Sequence, residues 1–193
     1  MIGIAAFAGS GAMAAMQKKL DIFGIFVLAF VTSVGGGVLR DVVMNKGIPE
    51  FFSNHLYVAI ILCSAGAIIL LRGRIRHSFV FVMIDALGLA GFTVVAGVKA
   101  IDGGYTFLSY LFVSLITGTG GGLMRDLMVM EIPMILRKDI YATAVLVGAV
   151  ALWFAMPVMG RVPGSVLSVV IIFAVRVVCY HKGVHLTLKE LAA

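Results

Sequence analysis

Charged residues are scarce in this chain: 12% of its 193 residues are Asp, Glu, Lys or Arg, whereas 62% are hydrophobic. A soluble domain has about 25% charged and about 45–50% apolar residues, so this composition excludes an ordinary soluble fold. The apolar runs are long and continuous, which excludes the short alternating segments of a membrane β-barrel. The sequence therefore predicts an all-α membrane protein, in which each span takes about 20 residues.

Cysteine and histidine are also rare, with two and four residues. Cys63 and Cys179 both lie in apolar runs, so a disulfide is not expected. His181 and His185 are four positions apart near the C-terminal end, which gives too few ligands for a metal site. The sequence has no Walker loop and no convincing Ser-His-Asp set, and its glycine triplets lack the strand that precedes a dinucleotide loop. We therefore predict that the protein is not an enzyme and has no cofactor or resident metal.

Seven apolar segments are predicted to cross the membrane as helices within a single transmembrane domain, residues 1–193. Their approximate ranges are 2–17, 23–44, 55–71, 78–98, 106–130, 139–156 and 165–181. Three of the four prolines, Pro49, Pro133 and Pro157, follow predicted spans, as expected of residues that disfavour helix before them. The N-terminus has neither a basic segment nor a small-residue cleavage site, so we expect a first span there rather than a signal peptide.

Lysine and arginine are divided unevenly between the two sides of these spans. The side reached after the first, third, fifth and seventh spans holds nine of them, and the other side holds only Lys46, Lys99 and Arg161. The nine are Lys18, Lys19, Arg72, Arg74, Arg76, Arg137, Lys138, Lys182 and Lys189. The positive-inside rule therefore predicts a bacterial-type inner-membrane protein with its N-terminus outside and its C-terminus in the cytoplasm.

The basic loop residues also bear on partners. The net charge of +6 does not predict nucleic-acid binding, because these residues cluster where apolar runs end, as topology determinants do. The cluster at 72–77 is such a determinant, and contact with anionic lipid is its second interpretation. Membrane lipids are therefore the partners expected from charge.

A ten-residue stretch of the second span returns 85 positions later in the fifth. Residues 32–41 read TSVGGGVLRD, and residues 117–126 read TGTGGGLMRD. The same alignment places Gly3 on Gly88 and, after a gap of one residue, Pro49 on Pro133.

Each repeat therefore holds three spans, at about 1–71 and 78–156, and the seventh span, at about 165–181, stands outside. An odd number of spans inverts the second copy relative to the first, which is the architecture of many transport proteins, whose sites lie where broken helices meet.

The glycine triplets are the candidate functional feature of each repeat. Three consecutive glycines weaken a helix by about 1 kcal/mol each relative to alanine and let the backbone bend or unwind. Freed carbonyls together with nearby hydroxyls are ligands that partly dehydrated K⁺ or Na⁺ accepts. Close helix packing is the other interpretation, since small residues also permit it. The residues concerned are Gly35, Gly36, Gly37, Gly120, Gly121, Gly122, Thr32, Ser33, Thr117 and Thr119.

An Arg-Asp pair follows each triplet, as Arg40-Asp41 and Arg125-Asp126. One interpretation is an ion pair, within or across the repeats, that neutralises buried charge and fixes the kinked geometry. The other has the aspartates attracting cations while the arginines set barriers or gate the path. The sequence alone does not decide between them.

Two further charges lie inside predicted spans, Asp85 in the fourth and Arg176 in the seventh. An intramembrane carboxylate is a functional hypothesis by default, and its alternative is a helix-locking pair with a residue such as Arg176. Arg176 is predicted to extend to the cytoplasmic edge of the membrane. The repeat places the equivalent of Asp85 before Met1, so a symmetric role for Asp85 is not expected.

The doubled Gly-Gly-Gly-x-x-Arg-Asp motif, in inverted three-helix repeats followed by a seventh helix, resembles the prokaryotic trimeric intracellular cation (TRIC) channel family. Bacterial sequences of this group have also been labelled glycine-transporter-domain or uncharacterised membrane proteins. The resemblance extends from Gly3 to about Tyr180. It implies a homotrimer with a pore in each protomer, surrounded by the first, second, fourth and fifth spans. It further implies passive conduction of K⁺ and Na⁺, kinks at both triplets, and Arg-Asp pairs beside the pore.

Two other functions stay open. A secondary transporter of a small zwitterion such as glycine has the same inverted repeats, and a half-helix N-terminus at a triplet can bind a carboxylate. A structural membrane protein would use the triplets for packing alone. The expected partners are a second and third copy of the chain and membrane lipids, including bound lipid.

Overall fold

The computed structural model describes residues 1–71, 78–137 and 140–183, and every regular element in them is a helix. The helices are α1 (Ile2–Gln17), α2 (Ile22–Val43), α3 (Leu56–Leu70), α4 (Ser78–Asp102), α5 (Phe107–Met128), α6 (Met134–Arg137), α7 (Ile140–Met159) and α8 (Arg161–Lys182), with a 3-10 turn at Glu50–Ser53. The all-helical membrane fold predicted from composition is confirmed. The basic cluster predicted at 72–77, with Lys138, His185 and Lys189, lies outside the described residues.

Five helices are long and apolar enough to cross a membrane, namely α2, α4, α5, α7 and α8. Helices α1 and α3 are apolar but have only 16 and 15 residues, fewer than the 20 or so that a bilayer core requires. All seven coincide with predicted spans, and α4 and α7 continue past their predicted ends to Asp102 and Met159. That α1 and α3 also span the bilayer stays a prediction.

Ion pairs at the two ends of the bundle show that the repeats run in opposite directions. Lys18, just after α1, pairs with Glu131, just after α5. At the other end Lys99, in the last turn of α4, pairs with Glu50, which follows α2. The first helix of one repeat therefore ends on the face where the second helix of the other repeat ends. An inverted repeat requires this arrangement.

Local sequence signals at the starts of α2 and α5 are equivalent in the two repeats. The Asp21 carboxylate accepts a hydrogen bond from the Gly24 amide at 2.7 Å, and the Thr106 hydroxyl accepts one from the Ser109 amide at 3.4 Å. Both are N-cap interactions that satisfy an amide of the first helical turn. Because positions 21 and 106 match in the repeat, the two helices begin at the same point of each motif.

Four helices form a closed ring at the centre of the fold. Helix α1 packs on α2, α2 on α5, α5 on α4, and α4 back on α1. Helix α3 covers α1 and α2, while α7 covers α5 and α4, so each repeat shields its own part of the ring. Helix α8 packs on α4 and α7, both from the second repeat. The ring is thus nearly twofold symmetric, and α8 makes the surrounding bundle asymmetric.

Candidate functional site: the centre of the four-helix ring

The glycine triplets lie where α2 and α5 cross. A Cβ atom on Gly36 would lie less than 3.0 Å from the carbonyl oxygen of Thr117, and one on Gly121 equally close to that of Thr32. Real Cβ atoms essentially never come this near to backbone, so both positions require glycine. The two contacts are equivalent under the repeat, which places the pseudo-twofold axis between the triplets.

Both helices are continuous across their triplets, at Ile22–Val43 and Phe107–Met128. The unwound backbone considered from the sequence is therefore wrong for this conformation, because close helix packing occupies the glycine surfaces while the helical hydrogen bonds are kept. A bend of either helix axis at the glycines stays a prediction. The nearby hydroxyls likewise satisfy their own helices, donating at 2.6–2.8 Å to the carbonyl four residues earlier: Thr32, Ser33, Thr117 and Thr119.

Two phenylalanines cross the ring along its diagonals. Phe7 of α1 reaches the Gly121 position of α5, where a Cβ atom would lie 3.0 Å from its ring, and Phe92 of α4 similarly approaches Gly37 of α2. The two rings stack with centroids 5.1 Å apart, and their positions are equivalent in the repeat. This stacked pair, the Phe7–Phe92 pair, therefore closes the middle of the ring with apolar surface.

A cavity of about 500 Å³ lies beside the Phe7–Phe92 pair, toward the end of the bundle where α1 begins and α2 ends. Apolar residues of α1, α2 and α4 form most of its wall, and its polar lining comes from the first motif and the segment after it: Ser33, Arg40, Asp41, Glu50 and Tyr57. Gly37 also borders this cavity. The other candidate hydroxyls, Thr32, Thr117 and Thr119, are buried and are not part of its lining. The first motif thus borders open space, as a permeation site would.

The first Arg-Asp pair is an ion pair within its own repeat. Arg40 Nη2 lies 2.7 Å from Asp41 Oδ1 and 3.1 Å from Glu50 Oε2. The second oxygen of Asp41 accepts a hydrogen bond from the Glu50 amide at 2.9 Å, which fixes the 3-10 turn after α2. Lys99 also bonds to Glu50, and this hydrogen bond is the main reason that the pKa of Glu50 is lowered from its ordinary value.

The second Arg-Asp pair repeats this arrangement. Arg125 Nε donates to Asp126 Oδ1 at 2.9 Å, and the other oxygen of Asp126 accepts from the amide of Met134, the first residue of α6. Each aspartate therefore ties its arginine to the short helix that follows the motif. In both repeats the arginine and aspartate form an ion pair, as one interpretation of the sequence expected, and a role of these charges in an ion path stays a prediction.

Arg125 also belongs to a charge cluster that is more deeply buried than the one around Arg40, where Glu50 and Lys99 are partly exposed. Its Nη1 donates to Asp85 Oδ1 at 2.5 Å and to the Ser10 hydroxyl at 3.0 Å. Arg176 Nη2 lies 3.7 Å from the second oxygen of Asp85, and its guanidinium lies over the Tyr141 ring at 4.6 Å. We call these five side chains, with Asp126, the inner cluster.

The predicted extension of Arg176 to the membrane edge is wrong, because this residue is only 4% exposed. The Asp85 carboxylate and the Tyr141 ring hold its guanidinium inside the bundle, where a buried arginine requires a countercharge. The helix-locking alternative, in which Arg176 faces Asp85, describes the observed placement.

Some residues of the site were not singled out from the sequence. Ser10 and Tyr141 of the inner cluster, Glu50 beside Arg40, and the Phe7–Phe92 pair are the main ones. The repeat alignment contained a usable signal for the phenylalanines, since it places position 7 on position 92. Ser10 carried only the weak signal of a lone hydroxyl in an apolar helix. Among the residues that the structure describes, no three His, Cys, Asp or Glu side chains are grouped to hold a metal ion.

A family model described as glycine transporter matches residues 1–73 and 82–157. A UPF0126 membrane protein of Deinococcus radiodurans is 32% identical over 194 residues, covering 99% of this chain and 90% of that protein. A UPF0126 membrane protein of Vibrio cholerae is 38% identical over 153 residues, covering 78% of this chain. That match covers 64% of the Vibrio protein, slightly less than two thirds of its length. The UPF0126 inner membrane protein YadS of Escherichia coli is 37% identical over 153 residues, covering 78% of this chain and 73% of YadS.

Solved structures of similar proteins match nearly the whole fold. A crystal structure of a prokaryotic TRIC channel in 0.5 M KCl has a TM-score of 0.90 and 29% identity, covering 94% of this chain and 93% of that one. The TRIC trimeric intracellular cation channel orthologue from Rhodobacter sphaeroides has a TM-score of 0.87 and 30% identity, covering 95% of both chains. The similarity therefore includes both repeats and α8.

Proposed function

The chain belongs to the prokaryotic TRIC family, the group matched by the glycine transporter model, and we propose on this basis that it is a K⁺-permeable channel. Its structural similarity to TRIC cation channels supports cation conduction. The proposal adds passive K⁺ and Na⁺ flow through a separate pore in each protomer of a homotrimer. All seven long helices would cross the inner membrane, with the N-terminus outside and the C-terminus in the cytoplasm.

The observation that carries this proposal is the four-helix ring with its two equivalent triplets, matched over nearly the full length of solved TRIC channels. The path would run through the ring, from the cavity at Ser33 and Gly37, past the Phe7–Phe92 pair, to the inner cluster. Polar groups border this path on both sides of an apolar constriction. Such a constriction can gate ion flow by excluding water.

The described conformation corresponds to a closed pore in this proposal. The stacked rings of Phe7 and Phe92 fill the ring diagonals, and the inner cluster fills the space beyond them. Opening would require α2 and α5 to move against each other at the Gly36 and Gly121 contacts. The two backbones meet there at glycines, and the side chains of Met124 and Leu39, which pack on Gly35 and Gly120, would have to shift with them.

Flux measurements on purified protein in liposomes test the proposal. A channel gives rapid K⁺ efflux down its gradient, with no saturation at high K⁺ and no accumulation of radiolabelled glycine. Saturable glycine uptake without K⁺ efflux would instead favour the secondary transporter that the family's descriptive name suggests. Chloride efflux as rapid as K⁺ efflux would contradict cation selectivity, and absence of any flux would favour a structural role.

Phe92→Ala is expected to increase K⁺ flux at least about tenfold, because it removes half of the aromatic constriction next to the cavity. Truncating a buried Phe also costs about 3–5 kcal/mol of stability, so flux is normalised to the amount of folded protein after size-exclusion chromatography. Phe112→Ala is the matched control, since Phe112 lies on α5 and is 54% exposed. Equal flux in the two variants would show that the Phe7–Phe92 pair is not the constriction.

A further inference from the structure

The inner cluster joins both repeats to the one long helix outside them. Ser10 belongs to α1, Asp85 to α4, Arg125 to α5 and Arg176 to α8. Because α8 has no counterpart in the inverted repeat, Arg176 introduces a buried positive charge from outside the four-helix ring, whereas Lys99, the second cation near Arg40, belongs to α4 and has a side chain that is 34% exposed. A gate that acts only at the inner cluster, on one side of the proposed pore, can therefore depend on Arg176.

The two arginines hold Asp85 unequally. Arg125 Nη1 is 2.5 Å from one carboxylate oxygen, whereas Arg176 Nη2 is 3.7 Å from the other, beyond hydrogen-bond distance. Arg125 is further fixed by Asp126 and Ser10, while the guanidinium of Arg176 lies over the Tyr141 ring. Arg176 is thus the more easily released of the two partners.

Several polar atoms of the inner cluster are buried without a hydrogen-bond partner. Within the part of the chain that the structure describes, the buried side-chain atoms that lack a hydrogen-bond partner include Asp85 Oδ2, Tyr141 Oη, Arg176 Nε and Arg176 Nη2. Unsatisfied buried groups cost free energy that hydration would recover. Hydration of these atoms would therefore favour a wetter arrangement of the inner cluster over the closed one.

The formal charges of the inner cluster explain what its opening would do. Two arginines and two aspartates, Asp85 and Asp126, sum to zero. Without Arg176 the remaining three groups sum to one negative charge, which attracts a cation. Without the Asp85 carboxylate the cluster instead has one positive charge, which repels a cation from a low-dielectric site.

We propose that Arg176 is an electrostatic latch that neutralises Asp85 and holds the inner half of the pore closed, and that Asp85 attracts the cation when the latch is released. This inference rests on the proposed channel function and adds a gate that depends on α8. It predicts effects of opposite sign for the two residues. A purely structural ion pair predicts that removing either partner impairs the protein in the same direction.

Single-channel recording of purified variants separates these outcomes. Arg176→Gln is expected to raise the open probability in KCl at least about fivefold, the lower end of usual coupling between sites, and Asp85→Asn to lower it by a similar factor. Arg176→Lys keeps the charge and is expected to raise the open probability less than Arg176→Gln does. Arg161→Gln is the matched control, because Arg161 lies on the same helix but is exposed and pairs with Asp102.

Arg176→Met replaces Arg176→Gln if the latter does not give monodisperse protein, because methionine keeps an apolar stem of similar length on the Tyr141 ring. Reduced open probability in both the Arg176 and the Asp85 variants would overturn the latch and leave a structural pair. An unchanged open probability in a folded Arg176 variant would also overturn it, while wild-type cation currents would preserve the proposed channel function.

A labelling experiment tests the latch even if the wild type carries no current. Ser10→Cys, in a background without Cys63 and Cys179, places a thiol beside Arg125 at a fully buried position. The latch predicts that a water-soluble thiol reagent modifies this cysteine at least about fivefold faster when Arg176→Gln is added. Equal rates would contradict it, whatever ion the protein conducts.

Discussion

Leucine in place of Gly121 is expected to abolish cation flux and to lower the free energy of unfolding by at least about 2 kcal/mol. Its Cβ alone would overlap the carbonyl oxygen of Thr32 and touch the ring of Phe7. Neither neighbour can move without displacing α2 or α1, because one is backbone and the other fills the ring. Gly36→Leu should have the same effect, since Gly36 meets Thr117 in the equivalent contact.

Gly66→Leu is the matched control for these two variants. Gly66 lies within α3, and a Cβ atom there would have no neighbour within 4 Å. Replacing it should leave flux unchanged and stabilise the helix by up to about 1 kcal/mol, the usual penalty of glycine in a helix. Thermal unfolding in detergent and K⁺ efflux from liposomes measure both effects. Normal flux and stability in Gly121→Leu would contradict the crossing of α2 and α5 described above.

Arg125→Gln is expected to lower the free energy of unfolding by about 3–5 kcal/mol, which is the usual loss when one member of a buried ion pair is removed. The substitution leaves Asp85, which is 0% exposed, without its close partner, and it removes the ion pair that orients Asp126 toward the Met134 amide of α6. Two carboxylates would then share the inner cluster with Arg176 alone.

Arg40→Gln provides the comparison within the same motif. Glu50, one partner of Arg40, has a half-exposed side chain and is also bound by Lys99, so its charge stays hydrated and paired. Arg40 and Asp41 are themselves buried, so this substitution also costs stability. Because Glu50 is half-exposed whereas Asp85 is fully buried, we expect the loss to be smaller than that of Arg125→Gln by about 1 kcal/mol. Chemical denaturation of both variants in mixed micelles measures the difference. Equal losses would show that the two halves of the ring are not electrostatically different.

Much of the fold could be predicted because its signals are local or repeated. Apolar runs located the seven long helices, and the recurrence of residues 32–41 at 117–126 gave the inverted repeat. The same recurrence selected the Gly36 and Gly121 positions, which meet at the centre of the ring. A doubled motif is informative because unrelated packing needs rarely produce the same costly residues twice.

The contacts of these residues could not be predicted, because they depend on which helices become neighbours. Three glycines are compatible with an unwound helix and with a close crossing, and the two are distinguished by the continuity of α2 and α5 and by the approach of Thr117 to Gly36. Arg176 lies near a helix end, where an arginine usually reaches toward water. Its burial follows from Asp85, a residue 91 positions earlier that no local pattern connects to it.

The reversal potential of single channels in a planar bilayer tests the central claim most directly. With a tenfold KCl gradient across the bilayer, a pore selective for K⁺ over Cl⁻ reverses near the K⁺ equilibrium potential, about 60 mV from zero. The present account predicts that value for the wild type and no channel openings for Gly121→Leu. A reversal potential near zero or of the opposite sign, or openings that persist unchanged in Gly121→Leu, would contradict a cation path through the four-helix ring.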